Sequence, residues 1–244
     1  AEVVIVPADR ATAIPDTMPF GGAAALQVTY GTVFYALAGR GGLQPGETLL
    51  VLGAGGGIGL AAVELGKALG ARVVAAASSP HKLEAAIAMG ADAAVQYPVK
   101  VENLEQAKAF TEAIRSACGE QGPDVVIDPV GGAYAEPALR SMAWHGRYLV
   151  VGFAAGIPTV PLNLTLLKGC QIIGVFWGAY MGRNPSAGAE DMKVLMRLYA
   201  AGKIRPRISE RYPLEQGGTA IARLGSRSVC GKIVVDVRYS EPRI

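Results

Sequence analysis

The chain has 244 residues, 51% of them hydrophobic and 18% charged, and its 23 Lys+Arg against 20 Asp+Glu leave a net charge of only +3. That composition is far from a disordered one and supplies a large apolar core, while the charge balance gives no electrostatic case for nucleic acid. Glycine is abundant at 32 residues but has no triplet repeat, which excludes collagen, and the length allows one or two domains.

The opening AEVVIVPADR carries Glu2, Asp9 and Arg10, lacks the pattern of a signal peptide and looks like a chain met in mid-protein. Within it, VVIVP predicts a strand with no obvious partner. The uncharged stretch 17–39, TMPFGGAAALQVTYGTVFYALAG, is long enough on paper to cross a bilayer. Pro19, Gly21, Gly22, Gln27, Thr29 and Gly31 interrupt it, so from Ala23 it predicts a buried helix of a soluble protein, and no membrane contact is expected.

From Glu47 onward short apolar runs alternate with helical segments, the signature of a parallel sheet with crossover helices. Strands are predicted at 48–53, 72–77, 93–96, 124–128, 147–152 and 171–176. The intervening helices carry Leu60, Val63, Leu65 and Leu69 before Gly70, then run from Pro80 through Met89 to Gly90, over 102–118 and over 133–141. The uncharged run 148–167 reads as a strand followed by a loop, broken by Gly152, Gly156, Pro158 and Pro161. The expected architecture is α/β, a doubly wound parallel six-stranded Rossmann sheet. Beyond Gly178 the alternation lapses into a helix at 187–201, an extended piece at 208–212, a helix at 214–224 and a strand at 232–237.

The strongest motif is VLGAGGGIGLAAVELGKALGARVV, in which Gly53, Gly56 and Gly59 recur every three residues between a strand and a helix. Glycines there permit a tight turn, a close approach to a pyrophosphate and close helix packing, and the helix N-terminus favours phosphate. No Gly-Lys-Ser/Thr closes the turn, which disfavours a nucleoside triphosphate loop. At the end of the second strand the chain reads AAASSPHKL, without the acid that would accept from the ribose hydroxyls of NAD. Ser78 and Ser79 can donate to a 2′-phosphate and Lys82 adds a positive charge, so the expected cofactor is NADPH. The competing explanation is that the serines only cap the next helix and Lys82 is solvated.

The three cysteines, Cys118, Cys170 and Cys230, show no CxxC, and with two histidines they argue against a disulfide framework or structural zinc; a cytoplasmic location is expected. His81 and His145 lack the neighbours that a catalytic assignment requires.

Taken with VTYGTVFYAL, PGETLLVLGAGGGIG, SSPHKLEAAIAMGAD, DVVIDPVGG, GRYLVVGFAAG, GVFWG, AAGKIRP and CGKIVV, these features resemble the zinc-independent medium-chain dehydrogenase/reductases, specifically the NADPH:quinone oxidoreductases and their zeta-crystallin-like relatives. The resemblance implies a division into 1–30, the end of a GroES-like catalytic domain and the start of a linking helix; 31–178, the dinucleotide-binding domain; and 179–244, a segment returning to the catalytic domain. It places Gly56, Gly57 and Ile58 at the pyrophosphate, within the cofactor-binding turn that Gly53 and Gly59 bound, and Ser78, Ser79 and Lys82 around the adenosine phosphate with Tyr97 closing that pocket. Thr32 would lie on the helix facing the nicotinamide side, Phe153 and Ala154 would follow the fifth strand and Phe176, Trp177 and Gly178 the sixth, Val130 would also contact the cofactor, and Arg227 would lie near it.

Tyr97, Phe153, Phe176 and Trp177 could equally be core or interface residues. Val28 stands where zinc-dependent relatives have a cysteine ligand, so no metal is expected. The implied reaction is hydride transfer from NADPH to a quinone or similar small electrophile, with no catalytic residue assigned. The alternatives are an enoyl- or acryloyl-thioester reductase and a non-catalytic, crystallin-like NADPH-binding protein. The apolar GVFWGAYM run suggests a homodimer.

Overall fold

The computed structural model describes residues 3–8, 11–226 and 228–237. Its centre is a six-stranded sheet built from β1 (Thr48–Leu52), β2 (Arg72–Ala77), β3 (Ala93–Gln96), β4 (Val125–Asp128), β5 (Arg147–Val150) and β6 (Gln171–Gly174). The order is β3-β2-β1-β4-β5-β6, and every pairing is parallel. β1 is therefore flanked by β2 and β4, and the chain reverses its direction of winding between β1 and β4. This is the doubly wound arrangement the alternation predicts.

Side chains of a strand alternate between faces, and the central strands are apolar on both. Leu49 and Val51 of β1 join Val73, Ala75, Val125 and Ile127 in one core layer, whereas Leu50 and Leu52 join Val74, Ala76 and Val126 in the other. The first layer is covered by α1 (Phe20–Phe34), α2 (Gly57–Ala68) and, later in the chain, α8 (Pro185–Ala200). The second is covered by α4 (Leu104–Cys118) and α5 (Ala135–Ser141), through Phe110, Ile114 and Leu139. The four β1 residues Leu49–Leu52 are fully enclosed, and each such burial is worth roughly 1.5–3 kcal/mol. Between α2 and α4 lies α3 (Pro80–Ala88), with proline in its first turn.

α1 runs into a π-helical turn at Tyr35–Arg40. Tyr30 of α1 donates to the Glu64 carboxylate of α2, whose other oxygen accepts from the Arg205 amide at 2.9 Å. This contact pins the later part of the chain to the first helix pair, and burial pushes the Glu64 carboxyl above its ordinary value.

Some boundaries differ from those expected. α4 begins at Leu104, two residues late, because the Asn103 side chain accepts from the Gln106 amide at 2.9 Å while Gln106 Oε1 accepts from the Glu102 amide at 2.8 Å. The expected loop after β5 contains a short helix, α6 (Asn163–Lys168), anchored by buried Leu164 and stopped by left-handed Gly169. A further helix, α7 (Trp177–Arg183), precedes α8. The strand expected at VVIVP is absent among the described residues: Val3 to Val6 are 53–96% exposed and pair with nothing, and a strand without a neighbour has no ladder to stabilise it. The last elements are β7 (Ile208–Pro213), α9 (Gly217–Gly225) and β8 (Lys232–Asp236), with β7 and β8 paired in parallel. No helix among the described residues is long and apolar enough to cross a membrane.

Candidate functional site

The carboxyl ends of the six parallel strands lie on one edge of the sheet, and the residues that leave them form the candidate site. After β1 the chain turns at Gly53, whose φ of +63° is a left-handed conformation that favours glycine. The turn closes when the Gly56 amide donates to Gly53 O at 3.0 Å, and α2 starts when the Leu60 amide donates to Gly56 O at 2.9 Å. No side chain caps α2, so the amides of its first turn, Gly57, Ile58 and Gly59, have no earlier helical carbonyl to meet, an arrangement that favours an anion.

The glycines differ in what they permit. A Cβ on Gly59 would stand 2.2 Å from Gly53 O and 2.5 Å from Ala54 Cα, so this residue sets how closely the helix starts against the strand. A Cβ on Gly56 would meet nothing nearer than 3.5 Å, which leaves that position open towards a ligand.

At the end of β2, Ser79 stands in the N-cap position of α3 with φ −152° and ψ 150°, yet its side chain makes no capping hydrogen bond. The Ser79 hydroxyl oxygen is buried and has no partner among the described residues. Capping thus does not account for Ser79. Ser78 beside it is half-buried, and the Lys82 stem passes over Gly55, its Cγ 2.5 Å from where a Cβ on that glycine would stand. A cation and an unused hydroxyl therefore flank the glycine turn on its β2 side.

On the other side, β4 ends at Asp128, which is 1% exposed. Its Oδ1 accepts from the amides of Val130 (2.7 Å) and Gly131 (2.9 Å), and its Oδ2 accepts from the Tyr148 hydroxyl at 2.5 Å. Burial pushes the Asp128 carboxyl above its ordinary value, against the pull of these three donors. The loop so fixed places Val130 Cγ2 2.8 Å from a Cβ position on Gly53. The loop after β5 is laced to it, with the Ala155 amide donating to Val130 O at 2.7 Å and the Gly132 amide to Gly156 O at 2.7 Å. Phe153 and Ala154 stand exposed on that second loop.

The remaining expected residues are more dispersed. Tyr97 is 6% exposed, its ring is packed against Tyr134 (4.8 Å between centroids) and Phe110 (5.4 Å), and its hydroxyl accepts from the Gly53 amide. It supports the turn from inside the core. Trp177 lies against α1, its Cε2 2.7 Å from a Cβ position on Gly31, and its indole nitrogen is buried without a partner among the described residues. Thr32 is next to that contact and bonds to Val28 O at 2.6 Å. Phe176 is 75% exposed, Gly178 is exposed, and Arg227 falls outside the described residues.

Sequence reading missed Asp128 and also Cys230, Gly231 and Lys232. The Gly231 amide donates to Gly55 O at 3.0 Å, and the Lys232 stem lies over Gly57. Burial raises the Cys230 thiol, and nearby Arg207 and Lys82 oppose that rise. The glycine-lysine pair was visible in CGKIVV, but its long-range pairing to the turn has no local signal. His81 and His145 are exposed, and among the described residues no cluster of His, Cys, Asp and Glu is arranged to hold a metal.

Residues 57–200 match the zinc-binding dehydrogenase family model. The chain is 38% identical over 227 residues to quinone oxidoreductase-like protein 2 of Bos taurus, covering 92% of this chain and 63% of that protein. A probable oxidoreductase from Mycobacterium abscessus superposes with a TM-score of 0.81 at 34% identity, over 95% of this chain and 68% of that one. The quinone oxidoreductase from Thermus thermophilus, solved also with NADPH, gives 0.76 at 32% identity, over 92% and 69%. The chain thus spans just under two thirds of the length of the Bos taurus relative. A match that begins at the first residue of α2 and runs through β2 to β6 and on to the end of α8 makes the chain a member of the zinc-binding dehydrogenase family, among the quinone oxidoreductase-like medium-chain dehydrogenase/reductases.

Proposed function

We propose that the chain binds NADPH across the β1–β4 crevice and serves a zinc-independent transfer of hydride to a quinone or similar small electrophile. The observation that carries this reading is the set of groups flanking the turn: an uncapped helix start, the buried unpartnered Ser79 hydroxyl and the Lys82 stem over Gly55, with no acid at the end of β2. These suit a pyrophosphate and a 2′-phosphate better than a ribose diol. When bound, NADPH supplies the hydride, and the net change is a two-electron reduction of the acceptor.

In this reading Gly53, Gly56, Gly57, Ile58 and Gly59 receive the pyrophosphate. Ser78, Ser79 and Lys82 hold the adenosine phosphate, with Arg227 nearby and Tyr97 as internal support. Thr32, Val130, Phe153, Ala154, Phe176, Trp177 and Gly178 shape the nicotinamide side and exclude water. Residues 1–30 and 179–244 would belong with a catalytic domain and 31–178 with the cofactor domain, a division whose first boundary falls inside α1.

Lys82→Ala is expected to weaken NADPH by about 1.5–3 kcal/mol, roughly 10- to 150-fold, and to leave NADH nearly unchanged. Titrations with both cofactors measure this, and equal affinities in the parent would overturn the cofactor choice. Steady-state assays on quinones and enoyl thioesters test the acceptor; activity confined to thioesters would remove the quinone.

Among the described residues β6 ends the sheet with an open edge, and Ile172 on it is 39% exposed. Pairing of two copies there would cover that edge. Light scattering is then expected to give twice the 25.2 kDa chain mass, and a monomer at micromolar concentration would contradict it.

A further inference from the structure

Away from the glycine turn, α4, α5 and α6 enclose a groove of about 1070 Å³. α4 lies alongside α5, with Thr111 Oγ1 donating to Pro137 O at 3.4 Å and Arg115 to Arg140 O at 2.9 Å, so the two helices run in step along its length. Its walls include Leu104, Leu164 and Leu167, of which Leu104 and Leu167 are 70% and 63% exposed.

One end is cationic. The Arg115 guanidinium and the Lys168 ammonium converge on the last carbonyls of α5, Lys168 donating to Met142 O at 2.9 Å. The negative end of that helix favours both, but each bond uses a single donor, and neither cation forms an ion pair among the described residues. Arg140, also at this end, is already neutralised by Glu136 at 2.6 Å. Of the other acids on the groove, Glu112 lies one turn from Arg115 without bonding to it, and Glu102 is at the opposite end. Burial and the Arg115 charge both lower the Lys168 pKa, so the two cations disfavour one another and would gain from an anion between them.

We propose that this groove binds an amphipathic anion, with its carboxylate or phosphate head on Arg115 and Lys168 and its alkyl chain along Leu164, Leu167 and Leu104. The proposal does not depend on the cofactor reading. Charge complementarity fixes the head, and the exposed leucines extending from that end fix the chain.

Calorimetric titration of the full chain with decanoate, decyl phosphate and decanol tests it. At least one anion is expected to bind at least about tenfold more tightly than decanol, and the double variant Arg115→Ala/Lys168→Ala to lose about that factor while decanol is unaffected. The tighter of the two anions identifies the head group. If the double variant does not fold, Lys168→Met and Leu104→Glu, each at a surface-accessible position, should both weaken the anion. Equal affinity for anions and decanol, or unchanged anion affinity in the folded variants, would overturn the proposal.

Discussion

Gly59→Ala is expected to destabilise the chain by about 3 kcal/mol or more, because the added methyl meets main-chain atoms that no rotamer change can move. The contacts would be 2.2 Å to Gly53 O and 2.5 Å to Ala54 Cα, so either α2 lifts from the end of β1 or the Gly53 turn opens. Both routes disturb the two core layers, since Leu60 and Val63 follow directly on α2 and Leu52 directly precedes the turn. For a chain of this size the loss corresponds to a fall of roughly 6–12 °C in Tm. Gly56→Ala is the control. Its φ of −82° suits any residue and its nearest contact is 3.5 Å, so stability should stay within about 1 kcal/mol of the parent. On the proposed function the same change would obstruct the pyrophosphate, so Gly56→Ala should fold and bind NADPH poorly. Thermal unfolding of the two variants separates the roles, and a Gly59→Ala protein melting with the parent would refute the packing argument.

The parts of the fold legible in the sequence are those whose signal is local. The stretches Leu49–Leu52, Val73–Ala77 and Val125–Ile127 of β1, β2 and β4 are apolar at every step because both faces are covered, and the glycine turn sits between a strand and a helix that periodicity alone can find. α6 was missed because its six residues are too few to show a period and lie in a stretch already crowded with proline and glycine. Ser79 and Lys82 were legible as chemistry, since an acid is missing where one would select NAD. Whether Ser79 caps α3 was not legible, because that depends on where its hydroxyl points. Tyr97 and Trp177 show the same limit, because what each ring packs against is not written in its neighbours. Tyr97 is enclosed by Phe110 and Tyr134, and Trp177 leans on Gly31, contacts across long stretches of chain that no spacing rule contains. Asp128 escaped notice for a related reason. It closes an apolar strand, and its partner Tyr148 comes from the neighbouring strand.

That pair carries the second large effect. Asp128→Ala would leave the Val130 and Gly131 amides and the Tyr148 hydroxyl without an acceptor in the interior, at a cost of about 3–5 kcal/mol. Asp128→Asn keeps an acceptor oxygen for the two amides and should cost less, about 1–2 kcal/mol. The carboxylate also makes stability depend on pH. Burial raises its pKa in the folded chain above the unfolded value of about 3.9, so the folded state holds the proton more tightly. The stability this confers is complete below the unfolded pKa and is lost as pH rises through the folded one. The parent should therefore lose stability relative to Asp128→Asn as pH climbs from about 4. Urea unfolding of both proteins at several pH values between 4 and 7 measures the difference; parallel curves would show that the three donors balance burial, and a parent that gains stability with rising pH would show that they outweigh it. The same loop sets Val130 against Gly53. Loss of Asp128 should therefore loosen the turn from the β4 side even where the sheet survives, giving a protein that retains its secondary structure and binds the proposed cofactor weakly.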